Sequence, residues 1–184
     1  LAGDCDGLDT KVEEKLNHLF SHLPENYAVT LGGMIDIPRR MFSLGNATVS
    51  GLNNLQPASK YQMFCKDNET QIIANLRATF IEVSYPWTFC SEDNGTLSTE
   101  SSLVGLEVVF IVEQTGDDSK LKVSRVTPLI LEGILVHLYG AGAVVGTVFS
   151  ALGHIFPSPF RMYWSHVMPE IVKKALIDNL EQLQ

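Results

Sequence analysis

Apolar residues recur with one period near the ends of this chain and another in its middle. Val12, Leu16, Leu19, Phe20 and Leu23 lie three or four residues apart and stop before Pro24. That spacing predicts an amphipathic helix, and Thr10 and Glu13 in "TKVE" have the form of a capping box at its start. From Tyr27 to about Thr127 the period changes to two. In "TQIIANLRATFIEVSY", Ile72, Ala74, Leu76, Ala78 and Phe80 alternate with Ile73, Asn75, Arg77, Thr79 and Ile81, so a long strand has one wholly apolar face. "LVGLEVVFIVEQ" repeats the arrangement with Val104, Leu106, Val108, Phe110 and Val112, and "TGDDSK" turns the chain into "LKVSRVTP". Long, mostly antiparallel hairpin neighbours are implied. Shorter strands are expected within "NYAVTLGGMIDI", "MFSLGNATVSGL", "SKYQMFC" and "PWTFC". At the far end Trp164, Val167, Met168, Ile171, Val172, Ala175, Leu176, Leu180 and Leu183 form a stripe opposite Lys173, Lys174, Asp178 and Glu181. This predicts a second amphipathic helix, kinked or begun at Pro169.

Between these regions lies "LEGILVHLYGAGAVVGTVFSALGHIF", Leu131 to Phe156, which contains no lysine, arginine or aspartate. As a helix, Gly133 to Gly153 would span about 31 Å, close to the ~30 Å hydrocarbon core of a bilayer. Spanning would, however, separate the last helix from the strands and leave its stripe with nothing to cover. Five glycines in the run also disfavour one long helix, each costing about 1 kcal/mol relative to alanine. The expectation is therefore a hydrophobic hairpin of helices wrapped by long curved strands. Gly140, Ala141, Gly142, Ala143 and Gly146 would leave room beside it for an apolar ligand.

Length and charge narrow the function. The 184 residues suit a single domain over 1–184, and 45% hydrophobic content is ample for a core. Thirteen basic against twenty-one acidic residues give a net charge of −8, which argues against nucleic acid and against strong attraction to anionic lipid. The opening "LAGDCDGLDT" is what a chain looks like once a secretory signal has been removed. Glycosylation acceptors at Asn46, Asn68 and Asn94 point the same way, to a secreted, extracellular protein. Cys65 and Cys90 bracket a strand-rich segment and are expected to pair, closing a loop worth roughly 3 kcal/mol, with Cys5 left over.

Few residues suggest chemistry. Gly140, Gly142 and Gly146 give G-x-G-x-x-x-G, not the G-x-G-x-x-G of a dinucleotide site, and too little chain follows for a parallel sheet. His18 and His22 are four apart, as a metal pair requires, but on the polar side of the first helix with no third ligand. His137 and His154 read as core or rim residues. No nucleophile elbow, zinc signature or P-loop is present. The expectation is a protein that is not an enzyme and uses neither cofactor nor metal.

The order of elements, together with "GNATVSGL", "LEVVFIVEQTGDDSKLKVSRV" and "FRMYWSHVMPEIVKKALIDNL", resembles the group-seven mite allergens. These belong to a wider group of lipid-binding proteins that includes the bactericidal/permeability-increasing protein and juvenile-hormone-binding proteins. The resemblance implies an α+β fold in which a strongly curved antiparallel sheet wraps a long C-terminal helix, with an N-terminal amphipathic helix and an apolar groove. Carried onto this chain, Leu76, Phe80, Val108 and Phe110 would face the groove from the sheet. Leu135, Val144, Val148, Phe149, Trp164 and Val167 would face it from the helical part. Cys65 and Cys90 depart from the disulfide placement of the bactericidal branch, and the acidic charge departs from endotoxin binding. The expected function is a carrier or sensor for a lipid or other small hydrophobic ligand. The alternative is a module that applies the same apolar stripe to a protein partner or, transiently, to a membrane surface.

Overall fold

A computed structural model describes residues 9–29, 42–66, 69–89, 93–115, 118–155 and 157–183. The fold is α+β, with an open, eight-stranded antiparallel sheet, a short N-terminal helix and helices at the C-terminal end. Helix α1 (Thr10–Ser21) is followed by β1 (Asn26–Val29), β2 (Phe42–Leu44), β3 (Ala47–Ser50), β4 (Gln56–Pro57) and β5 (Gln62–Lys66). Three long strands come next: β6 (Glu69–Phe89), β7 (Asp93–Thr115) and β8 (Asp118–Tyr139). Helices α2 (Ala143–Ile155) and α3 (Pro157–Leu183) complete the chain. The backbone of the sheet runs β1-β3-β6-β7-β8, while β2, β4 and β5 pair with other stretches of β6.

Helix α1 begins one residue earlier than the capping box implies. Asp9 is the N-cap, its Oδ1 accepting a hydrogen bond from the Lys11 amide at 3.0 Å, and Val12, Leu16, Leu19 and Phe20 are buried as their spacing requires. Helix α3 continues through Pro169 without starting there. Its stripe, from Trp164 to Leu180, enters the same hydrophobic cluster as α1 and the buried face of the sheet. Polar contacts also tie α3 to the sheet. The Tyr27 hydroxyl donates to the Asp178 carboxylate, and Lys173 Nζ donates to the Ser124 carbonyl at 3.0 Å.

One transverse row of the sheet breaks the alternation. In β6 the buried positions are Ile72, Ala74, Leu76 and Ala78, and then Ile81, Val83, Tyr85 and Trp87. The phase reverses at Phe80, which has φ 63° and is 46% exposed. Thr79 pairs with Leu103 and Ile81 with Ser101, so Phe80 and Ser102 drop out of the ladder together. The β7–β8 register skips Gly133, at φ 61°, in the same row. A left-handed residue other than glycine costs about 1–2 kcal/mol. Asn54 supports this one, its side-chain amide donating to the Thr79 and Phe80 carbonyls at 3.4 and 3.5 Å. The prediction that Phe80 faces inward is thereby corrected: beyond this row Ile81 takes the buried face.

The segment Leu131 to Phe156 is not helical throughout, as one arm of the expected helical hairpin would be. Its first part completes β8, the long strand paired along β7, and only α2 is helical. At about 1.5 Å per residue, α2 is far shorter than a bilayer core. Among the described residues no helix is long and apolar enough to cross a membrane.

The cysteine expectation falls partly outside the described residues. Cys65 pairs in register with Thr70 at one end of β6, and Phe89, the residue before Cys90, pairs with Asp93 at the other. Cys65 is disulfide-bonded, while Cys5 and Cys90 lie outside the described residues. So does Asn68; Asn46 and Asn94 are both exposed.

Candidate functional site

The interior between sheet and α3 is packed. Leu76, Val108, Phe110, Trp164 and Val167, expected to line a groove, are all buried members of the core cluster. Trp164 Nε1 donates to Thr99 Oγ1 at 2.9 Å, and that hydroxyl donates to the Leu135 carbonyl at 3.1 Å, so the buried indole nitrogen has a partner. Tyr85 and Tyr163 share a second contact through their hydroxyls, and burial pushes both phenols above their ordinary pKa. Of the remaining expected positions, Leu135 is half-buried on β8 and Val148 is 54% exposed on α2. The side chains of Val144 and Phe149 lie outside the described residues. These residues therefore divide between core and surface and do not converge on one interior groove.

Open space lies instead around α2. A Cβ at Gly146 would stand 2.9 Å from the Leu138 carbonyl oxygen, and one at Gly153 would stand 3.3 Å from Val136 Cβ. Seven residues apart, the two glycines share a helix face and let α2 lie close on β8. The other side carries Val145, Val148 and Ile155, which are 52%, 54% and 66% exposed. No Asp, Glu, Lys or Arg occurs from 143 to 155. Thr147, Ser150 and His154 are the polar residues of this uncharged helix, so its exposed valines and isoleucine are apolar surface left uncovered.

A groove lies at each end of the stretch where α2 meets β8. One, of about 680 Å³, runs between Pro128–Glu132 of β8 and a stripe of α3 formed by Ser158, Arg161, Met162 and Ser165. The α3 residues are spaced three and four apart, so one helix face forms that wall. The other groove, of about 580 Å³, is lined by Trp87, Phe89, Leu138, the Gly140–Gly142 turn and Val145, with Asp93 at its edge. Trp87 is fixed there because its Nε1 donates to the Tyr139 carbonyl at 3.1 Å. Gly140 has φ 90°, and a Cβ there would stand 2.4 Å from the Asn94 carbonyl oxygen. Only glycine fits that close approach. Gly142, by contrast, has open space where its Cβ would be. The room expected beside these small residues is present, in the turn that precedes the helix.

Chemically, the groove at Trp87 offers mainly aliphatic and aromatic surface, whereas the one between β8 and α3 sets aliphatic residues and Met162 beside the polar Glu132, Ser158, Arg161 and Ser165. His18 and His22 stack at 3.9 Å between ring centroids on the exposed side of α1. No three His, Cys, Asp or Glu side chains among the described residues are placed to hold a metal ion. Sequence reasoning missed Leu129, Ile130 and Met162, all exposed in the groove between β8 and α3. They lie just outside the uncharged stretch 133–160, so it did not mark them. No known protein-family model matches the chain, and no curated protein matches it.

Proposed function

We propose that this protein is a secreted, non-enzymatic carrier or sensor for hydrophobic, lipid-like molecules, and that it holds them at α2 and its flanking grooves. The observation that carries the reading is α2 itself: an uncharged helix with Val145, Val148 and Ile155 at least half exposed, beside grooves of about 680 and 580 Å³. Both volumes fall in the ~300–1,000 Å³ range usual for small-molecule sites. Covering the outer face of α2 with hydrocarbon would gain roughly 25 cal/mol per Å² of apolar surface removed from water. The exposed acceptors Asn46 and Asn94 are consistent with secretion and glycosylation. Three strands of more than twenty residues with one face buried against α3 support the resemblance to the group-seven mite allergens, and with it a sheet that curls around that helix.

The reading is tested by extracting the purified protein with organic solvent, identifying bound lipid by mass spectrometry, and titrating the protein with a fluorescent fatty acid. Val145→Ser and Val148→Asp are expected to fold normally, because both positions are half exposed, and to weaken uptake at least ten-fold. Unchanged uptake in both variants would remove α2 from the site.

A second reading is favoured by one observation. Val148 and Ile155 are exposed yet line neither groove, so they face outward as an interfacial anchor would. Co-sedimentation with phosphatidylcholine vesicles, abolished by Val148→Asp and with no extractable lipid, would make the protein a membrane-surface module instead.

A further inference from the structure

We propose that the groove between β8 and α3 takes a single-chain amphiphile with an acidic head, and that Arg161 receives the head; this rests on the hydrophobic-ligand reading above. Among the groove's lining residues, Leu129, Ile130 and Met162 give exposed aliphatic and thioether surface suited to a hydrocarbon chain, beside the polar Ser158 and Ser165. Arg161 stands on the α3 wall of the same groove. From Val126 to Val172 it is the sole lysine or arginine, in a protein of net charge −8. The groove thus holds the only fixed positive charge of the most apolar quarter of the chain. A guanidinium binds a carboxylate or phosphate through paired N–H donors, a geometry that an ammonium cannot reproduce.

The shape of the strand argues against a peptide as the occupant. β8 is the last strand of the sheet, so an extended peptide could in principle extend the ladder there. Gly105 pairs with Ile130 and Leu106 with Pro128, which leaves Leu129 as an extra residue in a bulge. Pro128 has no amide proton, and a bulge interrupts the regular spacing of donors and acceptors. Such an edge repels strand addition while leaving apolar surface open to a molecule that needs no backbone pairing. Glu132, in the same groove, penalises a second acidic group, so a monoacid is favoured over a diacid.

Binding of dodecanoate and of dodecanol, measured by calorimetry on the full chain, tests the proposal. Arg161→Gln should weaken dodecanoate about ten-fold, in keeping with loss of a charge-assisted hydrogen bond, and change dodecanol less than two-fold. Arg161→Lys should fall between parent and Gln for dodecanoate, and Glu132→Gln should tighten it. An unchanged thermal midpoint shows that each variant is folded. Equal weakening of both ligands by Arg161→Gln, or no weakening of either, overturns Arg161 as the head site and leaves the hydrophobic site standing. Failure of the parent to bind either ligand overturns the hydrophobic reading itself, and this inference with it.

Discussion

Leu76 and Phe80 are equivalent in any reading of the β6 sequence, since both belong to its apolar set with period two. The backbone separates them, because the left-handed conformation at Phe80 reverses the phase and sends its ring to the surface, while Leu76 stays buried. Leu76→Ala is therefore expected to cost about 2–5 kcal/mol through loss of buried surface and a residual cavity. Phe80→Gly should stay within about 1 kcal/mol of the parent, because relief of the left-handed backbone offsets the lost ring contacts and the greater freedom of glycine in the unfolded chain. Urea denaturation of the two variants checks this. A loss at Phe80 as large as that at Leu76 would mean that Phe80 is packed in solution.

At the scale of elements, the length of β6 bears on the cysteine pairing. Its 21 residues extend roughly 70 Å at ~3.3 Å per residue, whereas disulfide-linked residues have Cα atoms only about 4–7 Å apart. Cys65 lies beside Thr70 at one end of this strand, and Phe89 lies beside Asp93 at the other. Helix α1 reaches the Cys65 end instead. The Tyr61 hydroxyl donates to Asn17 Oδ1 at 2.7 Å, and Lys15 Nζ donates to the Ser119 carbonyl at 2.9 Å. Cys5 precedes the N-cap Asp9 by four residues in the sequence. Peptide mapping without reduction should find Cys65 joined to Cys5. Recovery of a Cys65–Cys90 peptide would require a different β5–β6 register.

Across the whole molecule, tyrosines join the helices to the sheet and make stability depend on alkaline pH. Tyr61 is pushed up to about 12 by burial and then by the nearby Glu13 charge. Tyr27 moves upward through burial and its hydrogen bond to Asp178, and Tyr163 through burial and its contact with Tyr85. Each phenol is thus held neutral in the folded state above the ordinary value near 10, so the unfolded chain releases its protons first. Their stabilising contribution is whole below about pH 10 and is lost as pH rises from there toward the folded-state values. The urea midpoint should be level with respect to these groups between pH 8 and about 9.5 and fall steadily above 10. A midpoint unchanged up to about pH 11.5, or native tyrosines that all titrate near 10 by absorbance, would contradict this account.

Local periodicity was sufficient for α1, for the buried stripe of α3 and for most of the three long strands, because each buries one face and a one-residue slip would expose it. The same rule could not foresee the row through Phe80, Ser102 and Gly133, where three strands change phase together and pairing between them sets the conformation. Nor could it divide Leu131 to Phe156 into strand and helix, since an apolar run has no polar positions from which a period can be read. The small residues at 140–142 signalled space, and space is there, but the predicted ligand contacts in β6, β7 and α3 are mostly core. Burial depends on what packs opposite a residue, so only the tertiary structure could decide which apolar residues fill the interior and which remain uncovered on α2 and beside Arg161.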